Sequence, residues 1–341
     1  MLARNVLALA AGAAGGALFY WLRMPLAWML GAMTATAVLA LCGARPEVVT
    51  WLRSGLIMVL GVLLGSSFSP ALLGHLRDWI DSFAALLIYL PVLSALGYAV
   101  FRYVGRLDPT TSYFSGMPGG LSEMVTVGTE QGGDTAVISL LHAIRVFTVV
   151  MLIPFYFRYA EGLIVPSGVT VLGPTHLTWQ DALLLLGCIA IGGPLAGCLR
   201  LPAAQLLGPM LLSAGIHFGG LTDGKPPAEL VAIAQIGVGA ALGCRFAGLK
   251  WSRIARIALL SLLATVLMLT AAILMSKLIE KFAGIGAAGA LLAFAPGGLA
   301  EMSLVALGLG IDTAYVATMH LVRVILVVII APLAWKMMAR R

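Results

Sequence analysis

Charged residues are scarce in this sequence. Asp, Glu, Lys and Arg together make up 10% of the 341 residues, whereas a soluble domain carries roughly 25%. No polar stretch is long enough to form a separate soluble domain, and 61% of the residues are hydrophobic, with a mean hydropathy of +1.03. Because a bilayer admits mainly apolar segments that satisfy their own backbone groups, the composition predicts an all-α polytopic membrane protein.

The common catalytic signatures are also missing. The sequence contains no HExxH, no GxSxG and no phosphate loop. Its 4 cysteines stand in or beside apolar segments without CxxC spacing, so we interpret them as packing residues and expect neither disulfides nor a metal site. The net charge of +7 comes from basic residues scattered between apolar runs, which is typical of topology signals and predicts no nucleic-acid partner.

Apolar runs, by contrast, fill the chain. A membrane-spanning helix needs about 20 residues at a rise of about 1.5 Å per residue. Runs near this length lie at 4–22, 25–43, 52–69, 79–101, 135–157, 180–199, 202–221, 229–247, 254–276 and 313–336. The first could serve as a signal peptide, but "RMPLAWMLGAM" follows at once and recurs downstream, so we interpret it as a retained first helix.

The two halves of the chain repeat each other. Gly116–Tyr156 aligns without a gap to Phe294–Ala334 at a constant offset of 178, with 17 identities in 41 positions. Upstream, "RMPLAWMLGAM" parallels "RLPAAQLLGPM", and "GVLLGSSF" parallels "GAALGCRF". The sequence therefore predicts a first membrane repeat at 1–160, a Pro/Gly-rich linker at 161–179 and a second repeat at 180–341, the kind of duplication from which many transporters are built.

Each repeat contains one interrupted apolar segment, "PGGLSEM" at Pro118–Met124 and "PGGLAEM" at Pro296–Met302. About ten residues flank each break, which as helix reach about 15 Å, half a bilayer. Each segment is therefore either a re-entrant hairpin or a broken spanning helix. If the segments re-enter, 13 basic residues lie on the cytoplasmic side of the membrane and 6 on the other side. If they span, the numbers of basic residues are 12 and 7. The count favours two inverted repeats of five helices each, with both termini cytoplasmic.

The breaks are the candidate binding site. Proline and glycine end one helix, and the next helix begins with free amides and a positive dipole end that favour an anion. Glu123 and Glu301 fall in the first turn of the restarted helices, where each is either a helix N-terminal charge or a proton or cation site near the midplane. Asp134 and Asp312 precede Thr and an apolar run; capping is the favoured role and ion binding the alternative.

A His and an Arg follow each break on one helical face, as His142 and Arg145 and again as His320 and Arg323. Such a buried arginine needs a partner, and Glu123 is the obvious candidate for Arg145. The pair either locks the broken segment in place, or the arginines bind a carboxylate or phosphonate while Glu or His carries a proton. The candidate substrate- or ion-binding residues are Pro118, Gly119, Gly120, Ser122, Glu123, His142, Arg145, Pro296, Gly297, Gly298, Glu301, His320 and Arg323, with Asp134 and Asp312 as caps or ion ligands.

The duplicated PGGxxEM segment, the DT…HxxR helix after it and the RxPxxxxLGxM segment resemble the AbrB-type duplicated bacterial membrane proteins over essentially the whole chain. Members carry labels such as ammonia monooxygenase or regulator, and they share their name with a soluble DNA-binding regulator that this chain does not resemble. The resemblance implies the fold and a bacterial inner-membrane location. The plan of four spans, a Gly-rich re-entrant segment and a fifth span, then inverted, is similar to citrate- and glutamate-type secondary transporters.

The leading hypothesis is a secondary transporter for a small organic anion or amphipathic metabolite, coupled to protons or sodium and working by alternating access around the paired breaks. Its expected partners are the lipid bilayer and a small-molecule substrate; homo-oligomerisation stays open. We expect no cofactor, and Na⁺ or H⁺ is the expected coupling ion. The alternatives are a non-transporting membrane regulator of gene expression, which needs a partner surface, and a metal-dependent monooxygenase, which needs metal-ligand clusters that the sequence lacks.

Overall fold

The computed structural model describes residues 1–74, 77–163, 166–168, 177–248 and 251–339. Within them the chain is helical and contains no strand, which confirms the all-α class. The α-helices are α1 (Leu2–Trp21), α2 (Ala27–Leu41), α3 (Thr50–Gly65), α4 (Trp79–Ala99), α5 (Pro109–Gly116), α6 (Leu121–Glu130), α7 (Thr135–Tyr159), α8 (Trp179–Cys198), α9 (Ala204–Phe218), α10 (Ala228–Gly243), α11 (Trp251–Ala283), α12 (Ala287–Phe294), α13 (Leu299–Leu309) and α14 (Thr313–Ala339).

Every predicted apolar run coincides with a helix, but the helices differ in length. In the described part of the chain, 7 helices are long and apolar enough to cross a membrane. Three of the predicted spans are shorter, because α2 and α9 have 15 residues and α3 has 16. Residues 164–165 and 169–176 of the predicted linker lie outside the described residues, so the linker and the repeat boundaries stay predictions.

The chain forms two compact units, and each unit takes segments from both repeats. The first unit comprises Met1–Gly74, Met151–Leu249 and Ser303–Ala314, and the second comprises His75–Val150, Lys250–Met302 and Tyr315–Arg341. The first three helices of each repeat therefore belong to the first unit. Both PGG breaks belong to the second unit.

Close glycine crossings hold the first unit together. Gly15 of α1 lies against Gly31 of α2 so closely that a Cβ on either would overlap the other's backbone. Gly192 of α8 and Gly208 of α9 form the same crossing, each 177 positions after its counterpart. Without side chains between them, two helices approach to backbone contact, which is how apolar helices gain dispersion energy in lipid.

A second contact in this unit pairs α3 of the first repeat with α9 of the second. Gly61 lies against the carbonyl of Leu206, and Gly65, one turn later, lies against the carbonyl of Met210. Because residue numbers rise together along both helices, α3 and α9 run parallel.

The reciprocal contact joins α10 of the second repeat to α2 of the first. Gly239 lies against the carbonyl of Met29, and Gly243 lies against that of Met33. These positions are the repeat counterparts of the α3–α9 contact, so α10 and α2 also run parallel. Within the first unit, each repeat therefore packs one helix on the other repeat in the same way: α3 on α9, and α10 on α2.

We expect Gly192→Ala to destabilise the protein by about 1–3 kcal/mol, because the new Cβ would meet the backbone of α9 at Gly208 and Pro209. Thermal unfolding of the detergent-purified protein measures the effect. Gly187→Ala on the same helix is the matched control: a Cβ there meets nothing within 4 Å, and alanine favours helix by about 0.5–1 kcal/mol. Equal unfolding temperatures for the two variants would contradict the close crossing.

The second unit packs α5 between α4 and α14. Gly116 of α5 crosses Gly97 of α4 in backbone contact. The Tyr113 hydroxyl of α5 donates to the carbonyl of Ala331 in α14 at 3.0 Å. On the neighbouring side, Ser261 of α11 donates to the carbonyl of Leu141 in α7 at 2.9 Å. The contacts of Gly116 and Tyr113 hold the short helix α5 in front of the first break.

Candidate functional site

The first PGG break is the tip of a helical hairpin. α5 begins with Pro109 behind Asp108, whose carboxylate accepts the Thr111 amide at 2.8 Å. After the break, α6 returns along α5, since Gly128 lies against the Phe114 side chain. The amide of Asp134, at the start of α7, then donates to the Thr111 hydroxyl at 2.8 Å. Both ends of the hairpin therefore lie together.

Asp134 caps the helix that follows. Its carboxylate accepts the amides of Ala136 and Val137 at 2.9 and 3.1 Å, which is N-cap geometry at the start of α7. Asp312 occupies the equivalent position before Thr313, the first residue of α14, and is exposed. For Asp134 the geometry favours capping over ion binding.

Arg145 and His142 clasp the carbonyl end of α5. Arg145 donates from Nη1 to the carbonyl of Met117 at 2.8 Å and from Nη2 to that of Gly119 at 3.4 Å. Its Nη2 also bonds to His142 Nδ1 at 2.8 Å. The other ring nitrogen of His142 lies 2.9 Å from the carbonyl of Phe114.

The same clasp forms at the second break, 178 positions later in every member. Arg323 donates to the carbonyls of Ala295 and Gly297 at 2.5 and 2.6 Å, and its Nη2 bonds to His320 Nδ1 at 2.8 Å. His320 Nε2 lies 2.9 Å from the carbonyl of Leu292. The repeat at sequence level is thus a repeat of hydrogen bonds.

The clasp sets the tautomer of each histidine. A guanidinium has only donors, so Nδ1 of His142 and of His320 must be the acceptor. The ring proton then resides on Nε2 and is donated to the carbonyl of Phe114 or Leu292. A second ring proton on Nδ1 would break the bond to arginine. This geometry favours a positioning role for the histidines over the proton-carrying role that the sequence left open.

Each His–Arg pair lies at a helix end. The last carbonyls of α5 and α12 have no intrahelical partners and carry the negative end of the dipole. The histidines bond to such carbonyls, at Phe114 and Leu292, and the arginines donate to the carbonyls just beyond each helix. Arg145 and Arg323 are 5% and 2% exposed. The sequence predicts Glu123 as the partner of Arg145. In the described residues, no carboxylate is among the hydrogen-bond partners of either arginine, because both terminal nitrogens of each guanidinium donate to backbone carbonyls.

The two glutamates instead lie over the glycines that precede them. A Cβ added at Gly120 would overlap the Glu123 carboxylate, and one at Gly298 would overlap that of Glu301. Both carboxylates therefore fold back over the break at the start of α6 and α13. The copies differ in burial, since Glu301 is 8% exposed whereas Glu123 is half-buried. Ser122, between break and Glu123, is exposed.

In the part of the second unit that the structure describes, several buried polar side-chain atoms have no hydrogen-bond partner. They are Nε of Arg145 and of Arg323, the hydroxyl oxygens of Ser112 and Ser115 on α5, and the hydroxyl oxygen of Tyr89 on α4. Buried donors without partners are costly, and they are characteristic of sites that bind water, ions or substrate. Sequence reasoning missed the serines and Tyr89; the serines immediately before the break were the available signal.

The second unit brings the two copies of the site together. Gly119 of the first break faces Val327, one turn after Arg323 on α14, and a Cβ there would lie 2.8 Å from the valine Cγ1. In the described residues, no group of three His, Cys, Asp or Glu side chains could hold a metal ion.

Comparison with known proteins places this duplicated site in a family. The family model described as "Transition state regulatory protein AbrB" matches residues 28–339. The chain belongs to the AbrB family. Among AbrB-type relatives, the chain is 30% identical to "Uncharacterized protein YhjN" of Bacillus subtilis (strain 168), covering 95% of this chain and 90% of the relative. It is 26% identical to "Putative regulator AbrB" of Escherichia coli (strain K12), covering 92% and 90%.

Proposed function

We propose that this AbrB-family protein is a secondary transporter of the bacterial cytoplasmic membrane, with both termini cytoplasmic. Its substrate is a small organic anion or amphipathic metabolite, exchanged against protons or sodium by alternating access. The observation that carries the proposal is the duplicated clasp: two helix breaks, each held by a buried His–Arg pair, with both breaks and both pairs in one compact unit. Interrupted helices paired in this way are typical of transporter binding sites near the midplane.

Helix directions support an inverted arrangement of the repeats. α2 and α10 run parallel, and both end near the cavity that Arg45 and Arg245 line, whereas α3 begins there with Arg53. The equivalent helices α3 and α10 therefore run in opposite directions. The hairpin of α5 and α6, with its ends together at Thr111 and Asp134, supports a re-entrant first break.

The roles follow from the geometry. The first amides of α6 and α13 face the breaks and favour a substrate anion. Glu123 and Glu301 lie over the same breaks, where a carboxylate can bind a proton or sodium. Arg145 and Arg323 hold the carbonyl ends in place, and their unpartnered Nε groups offer donors to a ligand. Substrate and coupling ion thus meet at the same residues.

Flux measurement tests the proposal. Purified protein is first screened for thermal stabilisation by small organic anions, with and without sodium and across pH. Compounds that stabilise it are then loaded into proteoliposomes, with a sodium gradient and a proton gradient imposed in separate arms. We expect uptake that one gradient drives and that collapses when an ionophore removes it.

The alternatives predict different results. A non-transporting regulator predicts no flux, together with a protein partner that co-purifies with the intact chain. A monooxygenase predicts stoichiometric copper or iron by elemental analysis of the purified protein. Either outcome, combined with absent flux, would overturn the transport proposal.

A further inference from the structure

A strongly basic cavity lies in the first unit, which does not contain the PGG breaks. Its volume is about 600 Å³. Among the described residues of its lining, Arg4, Arg45, Arg53 and Arg245 are basic and Glu47 is the one acidic residue. The described lining therefore has an excess of three positive charges. This is a high local charge for a chain in which only 10% of the residues are charged.

The cavity is built from distant parts of the first unit. Arg4 stands at the start of α1, Arg45 in the connection from α2 to α3, Arg53 in the first turn of α3, and Arg245 just after α10. The connection is tied to α1, since the Glu47 amide donates to the Arg4 carbonyl at 3.3 Å. The Val49 amide donates to the Asn5 side chain at 3.2 Å. The arginines are thus held around one space by the fold.

The acidic residue of the lining does not neutralise this charge. Glu47 approaches Arg4 at 4.0 Å, and both side chains are about half exposed. Such a pair is worth little in stability. The helix ends do not change the balance either: α1 and α3 begin near the cavity, whereas α2 and α10 end there, and dipole ends of about half a charge each roughly cancel. The described lining therefore keeps more basic than acidic side chains.

We propose that this cavity binds a phosphate-bearing anion. Guanidinium groups match phosphate oxygens with two parallel hydrogen bonds, and clusters of them are typical of phosphate recognition. The volume leaves room for more than a single phosphate group, so a ligand with further polar atoms or several phosphates also fits. Its source is either a phospholipid headgroup, since basic pockets at helix ends bind anionic lipids, or a soluble phosphate compound.

This inference does not rest on transport. The cavity and the breaks belong to different units, and the ligand would act on the first unit whatever the second one moves. Binding would join α1, α10 and the α2–α3 connection through one anion and would stabilise the first unit by mass action.

Thermal unfolding of the full-length protein in neutral detergent tests the proposal. The lipid arm adds phosphatidylglycerol or cardiolipin, with phosphatidylcholine as its control. The soluble arm adds inorganic pyrophosphate or ATP, with sodium chloride at equal ionic strength as its control. Stabilisation by the anionic lipids alone identifies a headgroup site, and stabilisation by the soluble phosphates alone identifies a metabolite site.

Variants assign the effect to the cavity. The triple variant R45Q/R53Q/R245Q should raise the apparent dissociation constant at least tenfold. The triple variant R77Q/R106Q/K336Q removes the same charge from exposed positions outside the lining and should bind as the wild type does. Glu47→Gln, which removes the carboxylate of the lining, should bind more tightly. Wild-type protein that no phosphate probe stabilises, or equal losses in the two triple variants, would overturn the proposal.

Discussion

Arg323→Met should destabilise the protein by about 3 kcal/mol or more, because three buried acceptors would lose their donor at once. These acceptors are the carbonyls of Ala295 and Gly297 and Nδ1 of His320. Removing the charge also relieves the cost of burying it, but methionine leaves every acceptor in place, so the loss dominates. The unfolding midpoint of the detergent-purified protein measures the effect.

The two clasps allow an internal comparison. The bond of Arg145 to Gly119 is 3.4 Å long, whereas that of Arg323 to Gly297 is 2.6 Å, so Arg145→Met should cost less. Lys336→Met removes an exposed charge from the same helix as Arg323 and should leave the midpoint unchanged. An Arg323→Met protein as stable as the wild type would show that the clasp does not hold the break.

Glu301→Gln should abolish coupling of flux to the ion gradient, with at least a tenfold fall in gradient-driven uptake and a nearly unchanged unfolding midpoint. Glutamine keeps the size of the side chain and one acceptor oxygen but loses the charge that would bind a proton or sodium. Glu301 is 8% exposed and lies over Gly298, so water cannot readily replace it. Uptake into proteoliposomes under a proton gradient and under a sodium gradient measures the loss.

Neighbouring carboxylates provide the controls. Glu123→Gln should reduce coupling less, because Glu123 is only half-buried. Glu130→Gln, at the exposed end of α6, should leave transport intact. Fully coupled uptake by the Glu301→Gln protein would remove Glu301 from the ion site.

The helices and the repeats could be predicted from the sequence because both depend on the type and order of the side chains. Apolar runs set where helices form in a bilayer, and the 178-residue offset already paired His142 with His320 and Arg145 with Arg323. The PGG triplets marked the breaks because proline and glycine act on their own backbone. These local signals require no knowledge of which helices touch.

The partners of the arginines could only come from tertiary structure. Arg145 was expected to meet a carboxylate, but it binds carbonyls of Met117 and Gly119, and every residue has a carbonyl, so no sequence pattern marks these acceptors. The exchange of helices between repeats was equally hidden, because glycines such as Gly61 reveal their contacts only when a second backbone is in place. The sequence by itself determined the helices, the duplication and the residue types at the two breaks, because these are properties of the side chains themselves. Packing decided which groups face each other.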